Sequence, residues 1–453
     1  MSTHSISQPP PLAVVILAAG NGTRMKSRRP KVLHEIAGRA MLAYPIGLAE
    51  ALAPERLVVV IAPVADAVRE AFGAQATFVE QPEPRGTGHA VQCAMPALEG
   101  FAGDVLVLYG DVPLLRAETL ASLRAIKAES KAPLAMLTSP EPLPGLVVRG
   151  SDGRVERIVE KTDATPEELE IREGNTGVYL VDHELLAGAL DALDAHNAQG
   201  ELYLTDVVSI TRGRKLAVEA LRLDDPDEAL GVNTRAELAR ATAVQHRRNV
   251  ERLMAEGVTF VDPSAVWIDT GVEIGRDSVI DPGVKISGPS RLGEGVHVKA
   301  HTVIESSELE DDVEIGPSAH LRPGCRLRRG VRVGNFVEVK NSDLGPGVKA
   351  DHLSYIGDAD VGARASFGCG SITVNYDWEE KHRTEVGEGA RIGCNANLVA
   401  PLVIEPGSFV AAGTTVTKRV PAEAIAVSTG RQKNVEGWAR RRRSRKRAGD
   451  EGE

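Results

Sequence analysis

Aliphatic residues recur at every sixth position through most of the second half of the chain. The residue that follows the aliphatic one is often glycine, as at Gly275, Gly293 and Gly334. This period matches neither an α-helix nor the simple alternation of a β-strand. It is typical of a parallel β-helix of hexapeptide repeats, in which three six-residue segments make one triangular coil. The recurring positions are Ile268, Ile274, Ile280, Ile286, Leu292, Val298, Ile304, Ile315, Leu321, Leu327, Val333, Val339, Ile356, Phe367, Val386, Ile392, Leu398, Ile404, Val410 and Val416.

An antiparallel domain of many short strands is the alternative fold for this half. Nothing in a sandwich would hold a six-residue phase over so many steps, so the β-helix is favoured. The phase slips near Leu309 and breaks between Phe367 and Val386. The second interruption contains Asn375, Tyr376 and Trp378, and we predict that it forms a loop that reaches a neighbouring copy of the chain.

Hydrophobic runs in the first half of the chain alternate with helical stretches. Short continuous apolar runs bounded by turn residues are typical of strands buried in a parallel sheet. Helices are predicted near 65–72, after the loop that begins at Gln81, and over 234–256, where Gly257 ends the helix. The alternation predicts a doubly wound, Rossmann-like α/β domain, and residues 145–160 a hairpin. Predicted strands cover 13–17, 57–62, 77–80, 105–109 and 217–221.

Two loops at the predicted carboxyl ends of these strands carry candidate chemistry. The loop Gly20–Arg24 directly follows the first strand, where backbone N–H groups approach phosphate oxygens, and Arg24 and Lys31 add positive charge. Asp111 follows another strand, at the place where α/β folds bind ligands. A carboxylate there suits a divalent metal on nucleotide phosphates, but it also suits a helix cap, and any βα turn takes glycine. The combination favours a nucleotide site.

Composition and charge narrow the class of protein. The chain has 453 residues, enough for two or more domains, with 42% hydrophobic and 26% charged residues, as in globular proteins. A net charge of −10 argues against general binding of nucleic acid. There is no apolar run of membrane-spanning length and no signal-peptide pattern at the N-terminus. We therefore expect a cytoplasmic protein with no nucleic-acid partner and no stable membrane association.

The cysteines and the C-terminus complete this outline. Four scattered cysteines without metal-binding spacing are expected to be free thiols in a reducing compartment. The basic residues Arg440 to Arg443, Arg445, Lys446 and Arg447 suit either a polyanion or membrane surface, or a disordered solubilising tail, and we favour the tail. The predicted organisation is a disordered N-terminus at 1–11, an α/β domain at 12–233, a connecting helix at 234–257, a β-helix at 258–430 and a basic tail at 431–453.

Short strings identify the family that the chain resembles. Sugar-nucleotide pyrophosphorylases have strings similar to LAAGNGTRM, PKVLH, QPEPRGTGHA, LYGDVPL, NTGVYL and GVNTR. Left-handed β-helix acyltransferases have strings similar to RPGCRLRRGVRVGNFVEVKNSDLG, KADHLSYIGDADVG and NYD. In this order, over residues 13–438, they resemble the bacterial bifunctional N-acetylglucosamine-1-phosphate uridyltransferase and glucosamine-1-phosphate N-acetyltransferase family. The resemblance implies a place in UDP-N-acetylglucosamine synthesis for peptidoglycan and lipopolysaccharide.

The resemblance implies a uridyltransferase site that joins UTP to N-acetylglucosamine 1-phosphate and releases pyrophosphate. Asp111 and Asn233 are implied as ligands of one Mg²⁺, and Arg24 and Lys31 as phosphate contacts. One carboxylate and one amide suffice as protein ligands because phosphates and waters complete the shell. In-line phosphoryl transfer needs positioning and charge neutralisation rather than a covalent nucleophile. The implied nucleotide and sugar contacts are Leu17, Ala18, Ala19, Gly20, Gln81, Gly86, Thr87, Tyr109, Gly145, Glu160, Asn175 and Asn233.

The resemblance implies a second site that transfers an acetyl group from acetyl-CoA to glucosamine 1-phosphate. His352 is implied as the general base, because the attacking amine must be neutral and an imidazole accepts its proton near neutral pH. Basic residues are implied to hold the sugar phosphate. The implied sugar contacts are Arg322, Lys340, Tyr355, Ser366, Asn375, Tyr376 and Lys381, and the implied acetyl-CoA contacts are Cys369, Cys394, Ala412, Thr429 and Arg431.

The chain departs from the family pattern at both sites. Pro144-Gly145-Leu146 stands where the family has Tyr-Gly-Arg, so the loop keeps its glycine and loses polar neighbours of the sugar. On the coenzyme side, Ser366, Cys369 and Cys394 stand where the family has Asn, Ala and Ser. Because a thiol is a poorer donor than a hydroxyl, Cys394 is expected to slow acetyl transfer if the serine supports the oxyanion.

The end of the coenzyme pocket also differs. Thr429 replaces a family arginine, and Arg431 is expected to reach the 3′-phosphate of the coenzyme instead. These departures leave open a uridyltransferase whose β-helix is only a trimerisation scaffold, although His352 and Lys340 favour the second activity. A non-enzymatic repeat protein is disfavoured by the nucleotide motifs.

Assembly follows from the position of the candidate base. A β-helix with one histidine in a turn needs neighbouring coils to complete a site, so we predict a homotrimer with three acetyl-transfer sites at its interfaces. The expected partners are otherwise small molecules, namely glucosamine 1-phosphate, acetyl-CoA and UTP.

Overall fold

The computed structural model of the chain describes residues 10–20, 22–63, 65–428, 430 and 434–441. These residues form two compact units. One contains the described residues up to Glu251 together with Ile268–Thr270, and the other contains Arg252–Trp267 and the described residues from Gly271 onward. The finer domain boundaries given above stay predictions. Of the two predicted disordered ends, residues 1–9, 431–433 and 442–453 lie outside the described residues.

The first unit is built on a mixed β-sheet with helices on both faces. The sheet order is β11-β7-β10-β6-β1-β4-β5, and the hairpin β8–β9 joins it through β10, while β2 and β3 form a separate pair. The strands are β1 Leu12–Leu17, β2 Glu35–Ile36, β3 Arg39–Ala40, β4 Arg56–Ile61, β5 Thr77–Glu80, β6 Asp104–Tyr109, β7 Leu134–Ser139, β8 Gly145–Arg149, β9 Val155–Glu160, β10 Gly174–Asp182 and β11 Val218–Arg222. The helices are α1 Ala43–Ala51, α2 Asp66–Phe72, α3 Thr87–Ala94, α4 Ala117–Ser130, α5 His183–Leu190, α6 Asp206–Gly213 and α7 Arg235–Ala255.

Strand β1 lies inside this sheet, between β6 and β4, and every one of its side chains is apolar and buried. Its alternate residues supply two separate cores. Ala13 and Val15 pack with residues of α3, α5 and α6, and Val14 and Ile16 pack with residues of α1, α2 and α4. A strand covered on both faces reads as a continuous hydrophobic run, which is the pattern seen at the start of the chain.

Two features of this sheet differ from the sequence prediction. Strand β10 runs antiparallel to both β6 and β7, so the sheet is mixed rather than wholly parallel. It follows the β8–β9 hairpin, which reverses the chain before β10 enters the sheet. Strand β7 was not predicted, although all of its residues are buried. The predicted hairpin and the other predicted strands are confirmed to within a residue of their ends.

The second unit contains a stack of short parallel strands that coil as a left-handed β-helix of hexapeptide repeats. The strands are β12 Thr259–Phe260, β13 Trp267–Ile268, β14 Glu273–Ile274, β15 Val279–Ile280, β16 Lys285–Ser287, β17 Arg291–Leu292, β18 His297–Val298, β19 Val303–Glu305, β20 Glu308–Leu309, β21 Glu314–Ile315, β22 His320–Leu321, β23 Arg326–Leu327, β24 Arg332–Asn335, β25 Glu338–Lys340, β26 Asp343–Leu344, β27 Lys349–His352, β28 Tyr355–Gly357, β29 Ala359–Val361, β30 Ser366–Phe367, β31 Ile372–Val374, β32 Thr384–Val386, β33 Arg391–Ile392, β34 Asn397–Val399, β35 Leu402–Ile404, β36 Phe409–Val410, β37 Thr415–Val416 and β38 Ile425–Ala426.

Every third strand pairs in parallel, which makes three flat faces. The first face runs from β12 through β24, β27, β30 and β33 to β38. The second runs from β16 through β25, β28 and β31 to β37, and the third from β14 through β26, β29 and β32 to β35. The aliphatic residues at the six-residue positions are buried inside the coil, as predicted.

Glycine follows many of these aliphatic residues because successive coils approach closely there. A Cβ added to Gly275 would lie 2.6 Å from the carbonyl carbon of Gly293, one coil further on. A Cβ on Gly334 would lie 1.8 Å from the carbonyl oxygen of Asp351. Any side chain at these positions would force the coils apart.

The predicted break after Phe367 is shorter than expected. Strand β31 continues the six-residue phase with Thr373, whose side chain is buried inside the coil. The insertion therefore covers only 375–383, before β32. A pattern read from aliphatic residues passes over a buried threonine, whose hydroxyl here donates to the carbonyl oxygen of Gly357 at 3.0 Å. None of the helices in the described part of the chain combines the length and apolar character needed to cross a bilayer.

Candidate active sites

A cleft in the first unit opens at the carboxyl ends of β1 and β6. Leu17 and Tyr109, the last residues of these strands, are register partners. After β1 the chain adds β4 and β5 on one side of it and then crosses to add β6 on the other side, so the direction of strand addition reverses at β1. Open α/β sheets bind ligands at such a reversal. The cleft encloses about 260 Å³ and is lined by ten of the predicted residues: Leu17, Ala18, Ala19, Gly20, Lys31, Gln81, Gly86, Thr87, Tyr109 and Asp111.

The loop that begins at Gln81 is held against a second segment of the same unit. The side-chain amide of Gln81, which is buried, donates to the carbonyl oxygen of Gly86 at 3.0 Å. Gly86 has a φ of 102°, and an added Cβ would lie 2.5 Å from the carbonyl oxygen of Leu202. The backbone N–H of Leu204 donates to the hydroxyl of Thr87 at 3.1 Å. Sequence reasoning missed this supporting segment, and it also missed Glu201, which lines the cleft.

Three predicted phosphate and metal residues meet at one point. The Nζ of Lys31 lies 2.5 Å from Oδ2 of Asp111 and 3.1 Å from Oδ1 of Asn233. Val232 donates its backbone N–H to the carbonyl oxygen of Asp111 at 2.9 Å, which ties the two loops together. The carboxylate of Glu237 accepts the backbone N–H of Asn233 at 2.8 Å. The sequence did not point to Glu237, although an acidic residue in the first turn of α7 is a capping signal.

The donor set at this point fits Mg²⁺. One carboxylate oxygen and one amide oxygen converge on a single cation, the buried ammonium of Lys31. Hard oxygen donors are what Mg²⁺ prefers, with the remainder of its shell left to phosphates and water. No cluster of three or more His, Cys, Asp or Glu ligands occurs among the described residues. A metal here would therefore rely on substrate oxygens.

The predicted sugar contacts lie beside Tyr109. Gly145 is the register partner of both Glu160 and Asn175, so the three residues are adjacent across β8, β9 and β10. Burial raises the pKa of Glu160, and the charges of Asp163 and Asp206 add to the effect. Burial likewise raises the pKa of the Tyr109 hydroxyl, assisted by the negative charges of Asp111 and Glu160.

Arg24 is the least engaged of the predicted nucleotide residues. Its side chain is exposed. Burial raises the pKa of the nearby Glu237 carboxyl, but hydrogen bonds from Asn233 and Thr234 outweigh this effect and lower the pKa. The positive charge of Arg24 lowers it further, by a smaller amount. The neighbouring Asn21 lies outside the described residues. The structure thus brings Lys31 to the centre of the site and leaves Arg24 at its rim.

In the second unit, one edge of the β-helix collects the predicted base and coenzyme residues. Asn335 and His352 are register partners at the ends of β24 and β27. The pairing of β27 with β30, of β30 with β33 and of β33 with β36 continues this register down the coil. It places five residues one above another, and we call this row the His352 edge: Asn335, His352, Cys369, Cys394 and Ala412.

The neighbour of His352 on this edge was missed by the sequence reasoning. His352 Nδ1 lies 3.1 Å from the side-chain oxygen of Asn335, to which an Nδ1–H would donate. In the neutral imidazole, a proton on Nδ1 leaves Nε2 available as a proton acceptor. The six-residue phase could have shown that Asn335 precedes His352 by one coil.

A cationic cluster lies at the other end of the second face. Arg322 and Lys340 lie level on adjacent coils, and Lys340 Nζ is 3.7 Å from Oδ2 of Asp358. Lys340 lowers the pKa of the neighbouring Lys381. Arg322 NH1 also lies 3.0 Å from Oε1 of Glu338. Two ammonium groups held this close favour an anion between them.

The 375–383 loop presents Lys381 and two aromatic residues. Tyr376 and Lys381 pair across the loop, and Asn375 contacts both Asp358 and the hydroxyl of Tyr355, the latter at 3.4 Å. The carboxylate of Asp377 accepts hydrogen bonds from the backbone N–H of Glu380, the ring of His382 and the backbone N–H of Glu379. These hydrogen bonds lower the pKa of the Asp377 carboxyl. Trp378 is 87% exposed at the tip.

Some predicted residues are not brought together within one chain. His352 precedes β28, whereas Lys340 lies level with Gly357 at the far end of that strand. The base and the cationic cluster therefore lie at opposite ends of one face. Ser366 lies within the first face, partly buried, and Thr429 and Arg431 lie outside the described residues.

Comparison with known proteins identifies the class and then the family. Residues 14–203 match the MobA-like NTP transferase domain, and residues 271–306 match the bacterial transferase hexapeptide (six repeats). The chain is thus a transferase that joins a nucleotidyltransferase domain to hexapeptide acyltransferase repeats. Over 453 residues it is 44% identical to the "Bifunctional protein GlmU" of Trichlorobacter lovleyi, with 95% of this chain and 98% of that protein covered.

Two further relatives agree. The proteins of the same name from Geobacillus thermodenitrificans and Geobacter sulfurreducens are 45% and 43% identical, with 96% and 95% of this chain covered and 99% of each relative. The chain belongs to the family of bifunctional GlmU proteins. The resemblance inferred from the short strings is confirmed, and the two kinds of domain support two transfer activities on small-molecule substrates.

Proposed function

We propose that the first unit transfers uridylyl groups from UTP to N-acetylglucosamine 1-phosphate and that the second transfers acetyl groups from acetyl-CoA to glucosamine 1-phosphate. The observation that supports this most is that predicted residues distant in sequence lie together, three of them at one point in the first unit, and the predicted base with three predicted coenzyme residues along one edge in the second. Lys31, Asp111 and Asn233 meet in the first unit, and the His352 edge forms in the second.

In uridylyl transfer, a phosphate oxygen of the sugar attacks the α-phosphorus of UTP and pyrophosphate leaves. Leu17 to Gly20, with Gln81, Gly86 and Thr87, hold the uridine and the backbone of the nucleotide. Asp111 and Asn233 would hold Mg²⁺, which neutralises charge on the phosphates when it is bound. Lys31 shares the same point, and its ammonium is free to contact a phosphate oxygen once the carboxylate has another cation. Glu160 and Asn175 orient the sugar beside Tyr109, and Arg24 contacts the phosphates from the rim.

In acetyl transfer, the amine of glucosamine 1-phosphate attacks the thioester carbonyl of acetyl-CoA. His352 Nε2 takes a proton from the amine nitrogen, the carbon–sulfur bond of the thioester breaks, and the departing sulfur takes up that proton to give the free thiol of the coenzyme. Arg322, Lys340 and Lys381 hold the phosphate, and Tyr355, Asn375, Tyr376 and Ser366 contact the sugar. The coenzyme lies along the His352 edge past Cys369, Cys394 and Ala412, with Thr429 and Arg431 at its far end.

We also propose that three copies of the chain assemble around the β-helices. The base and the cationic cluster lie at opposite ends of a face, so one chain does not close a site around a sugar. The exposed Trp378 at the tip of the 375–383 loop would be covered by a neighbouring copy. We further propose that the enzyme acts in the cytoplasm, where UTP and acetyl-CoA are available. The proposed domain boundaries are 12–233 for the uridyltransferase domain, 234–257 for the connecting helix and 258–430 for the β-helix.

Two separate assays on the full chain test the proposed function. One follows pyrophosphate release from UTP with N-acetylglucosamine 1-phosphate and Mg²⁺, and the other follows thiol release from acetyl-CoA with glucosamine 1-phosphate. We expect both activities, each dependent on its sugar phosphate. Uridylyl transfer without acetyl transfer would support the scaffold alternative, in which the thiols of Cys369 and Cys394 have disabled the coenzyme groove. The absence of both activities would contradict both the proposed function and the scaffold alternative.

The raised pKa of Glu160 predicts how uridylyl transfer responds to acid. A carboxylate that accepts a hydrogen bond from the sugar loses this role when it is protonated, and burial makes that happen at a higher pH than for an exposed glutamate. The KM for N-acetylglucosamine 1-phosphate should therefore rise as the pH falls through this range. Because the folded state holds this proton more tightly than the unfolded chain, protonation of Glu160 itself stabilises the fold and is no cause of unfolding.

Steady-state kinetics between weakly acidic and neutral pH measure this effect. A Glu160→Gln variant should have a high KM that changes little over the same interval. Glu167→Gln, an exposed change nearby, serves as the matched control and should keep the wild-type profile. An unchanged pH dependence in Glu160→Gln would show that another group is responsible.

A further inference from the structure

Cys369 and Cys394 occupy equivalent positions on two successive coils of the β-helix. Ser366 pairs with Arg391, and Phe367 with Ile392, at the start of the two turns. Beyond the cysteines the register continues, because the backbone N–H of Asn395 donates to the carbonyl oxygen of Cys369 at 2.9 Å. Each thiol is free and exposed. The two side chains therefore stack directly, one above the other, on the outer surface of the coil.

This stacking meets the spacing that a disulfide requires. Adjacent strands lie about 4.8 Å apart in the pairing direction. A disulfide joins Cα atoms that are about 4.4–6.8 Å apart. Register partners in a parallel stack point their side chains in the same direction, so the two sulfur atoms start on the same side of the coil.

The remaining two cysteines lack these properties. Cys325 is 3% exposed, its thiol donates to the carbonyl oxygen of Arg322 at 2.9 Å, and burial raises its pKa to about 11. Burial also raises the pKa of the Cys93 thiol, which lies in the other unit. A solution oxidant that requires an accessible thiolate should select the stacked pair.

We propose that Cys369 and Cys394 form a thiol modification site that low-molecular-weight disulfides oxidise to an intramolecular disulfide. One thiolate attacks a sulfur of the small disulfide, forms a mixed disulfide and releases one small thiol. The second thiolate attacks the protein sulfur of that mixed disulfide and releases the second small thiol. Overall, two cysteine thiols are oxidised, one small disulfide is reduced to two thiols, and no other reactant is needed.

The site has a consequence for acetyl transfer that rests on the proposed function. The pair lies on the His352 edge between His352 and Ala412, where the coenzyme is proposed to bind. Oxidation removes two S–H donors and draws the two sulfur atoms together on the His352 edge, where the coenzyme is proposed to lie. Acetyl transfer should therefore fall and recover on reduction. Uridylyl transfer, which uses residues of the other unit, should not respond.

The test exposes the purified full chain to oxidised glutathione, removes the excess, and maps disulfides by mass spectrometry of non-reduced peptides. We expect one new link, between the peptides that contain Cys369 and Cys394. Acetyl transfer should fall at least about tenfold, the effect of ~1.4 kcal/mol in coenzyme binding, and return after dithiothreitol. Uridylyl transfer should stay unchanged throughout.

Variants separate this site from oxidation elsewhere. The acetyl-transfer rate of Cys369→Ser, and likewise of Cys394→Ser, is measured before and after treatment with oxidised glutathione. In each variant the treatment should leave the rate unchanged. Cys93→Ser, the control, should respond like the unaltered chain. A mixed disulfide with glutathione as the stable product, or a link through Cys325, would overturn the proposal. Failure of acetyl transfer in the reduced protein would contradict only the proposed function, since the peptide map still decides whether the disulfide forms.

Discussion

Replacing Asp111 with asparagine is expected to lower kcat/KM for uridylyl transfer by about 10²–10³-fold, the size of effect seen when one preorganised electrostatic contact is removed. The change keeps an oxygen at the same place and removes its charge. Lys31, whose Nζ lies 2.5 Å from this carboxylate, then loses that anionic partner, and the proposed Mg²⁺ site loses its charged ligand. Acetyl transfer should be unchanged, because none of its residues lies in this cleft.

The dependence on Mg²⁺ distinguishes a metal ligand from a residue that only supports the fold. In Asp111→Asn, the concentration of Mg²⁺ that gives half-maximal rate should increase. Asp66→Asn removes a carboxylate from the exposed start of α2 and is the matched control, with wild-type kinetics expected. If Asp111→Asn lost activity with an unaltered Mg²⁺ requirement, the carboxylate would act through Lys31 alone.

Replacing His352 with alanine is expected to lower the rate of acetyl transfer by about 10²–10⁴-fold, the usual contribution of a general base. Without the imidazole, only the fraction of sugar already present as the free amine can react. The residual rate should therefore rise with pH as the fraction of sugar present as the free amine increases. Uridylyl transfer should stay at its original rate.

Two variants on the same face of the β-helix serve as comparisons for the His352→Ala result. His297→Ala removes another partly exposed histidine, which contacts Asp281, and should leave acetyl transfer intact. Asn335→Ala removes the hydrogen bond to His352 Nδ1 and should lower the rate about tenfold, the effect of ~1.4 kcal/mol of lost alignment. Equal losses in His297→Ala and His352→Ala would indicate a general effect on the coil rather than a base.

The β-helix could be predicted because its signal is local. Nearly every six-residue segment buries one hydrophobic residue, so the repeat is visible directly in the sequence, from Ile268 to Val416. The same holds for β1 and for α7, which ends at Ala255 before Gly257. The candidate residues of both sites were also available from short strings. Thr373 carries no pattern that separates it from its surroundings, whereas β7 contains a short apolar run, 134–137, that the sequence prediction passed over.

The sequence by itself thus determined the hexapeptide coil, most of the strands and three of the helices of the first unit, and the identity of the family. Only the tertiary structure decided that β10 runs antiparallel, that Lys31 meets both Asp111 and Asn233, and that Cys369 stacks on Cys394. The physical reason is that hydrophobic periodicity is a property of neighbouring residues. Strand order and register between distant segments instead depend on how whole faces pack, and a short insertion such as 375–383 changes which residues become neighbours.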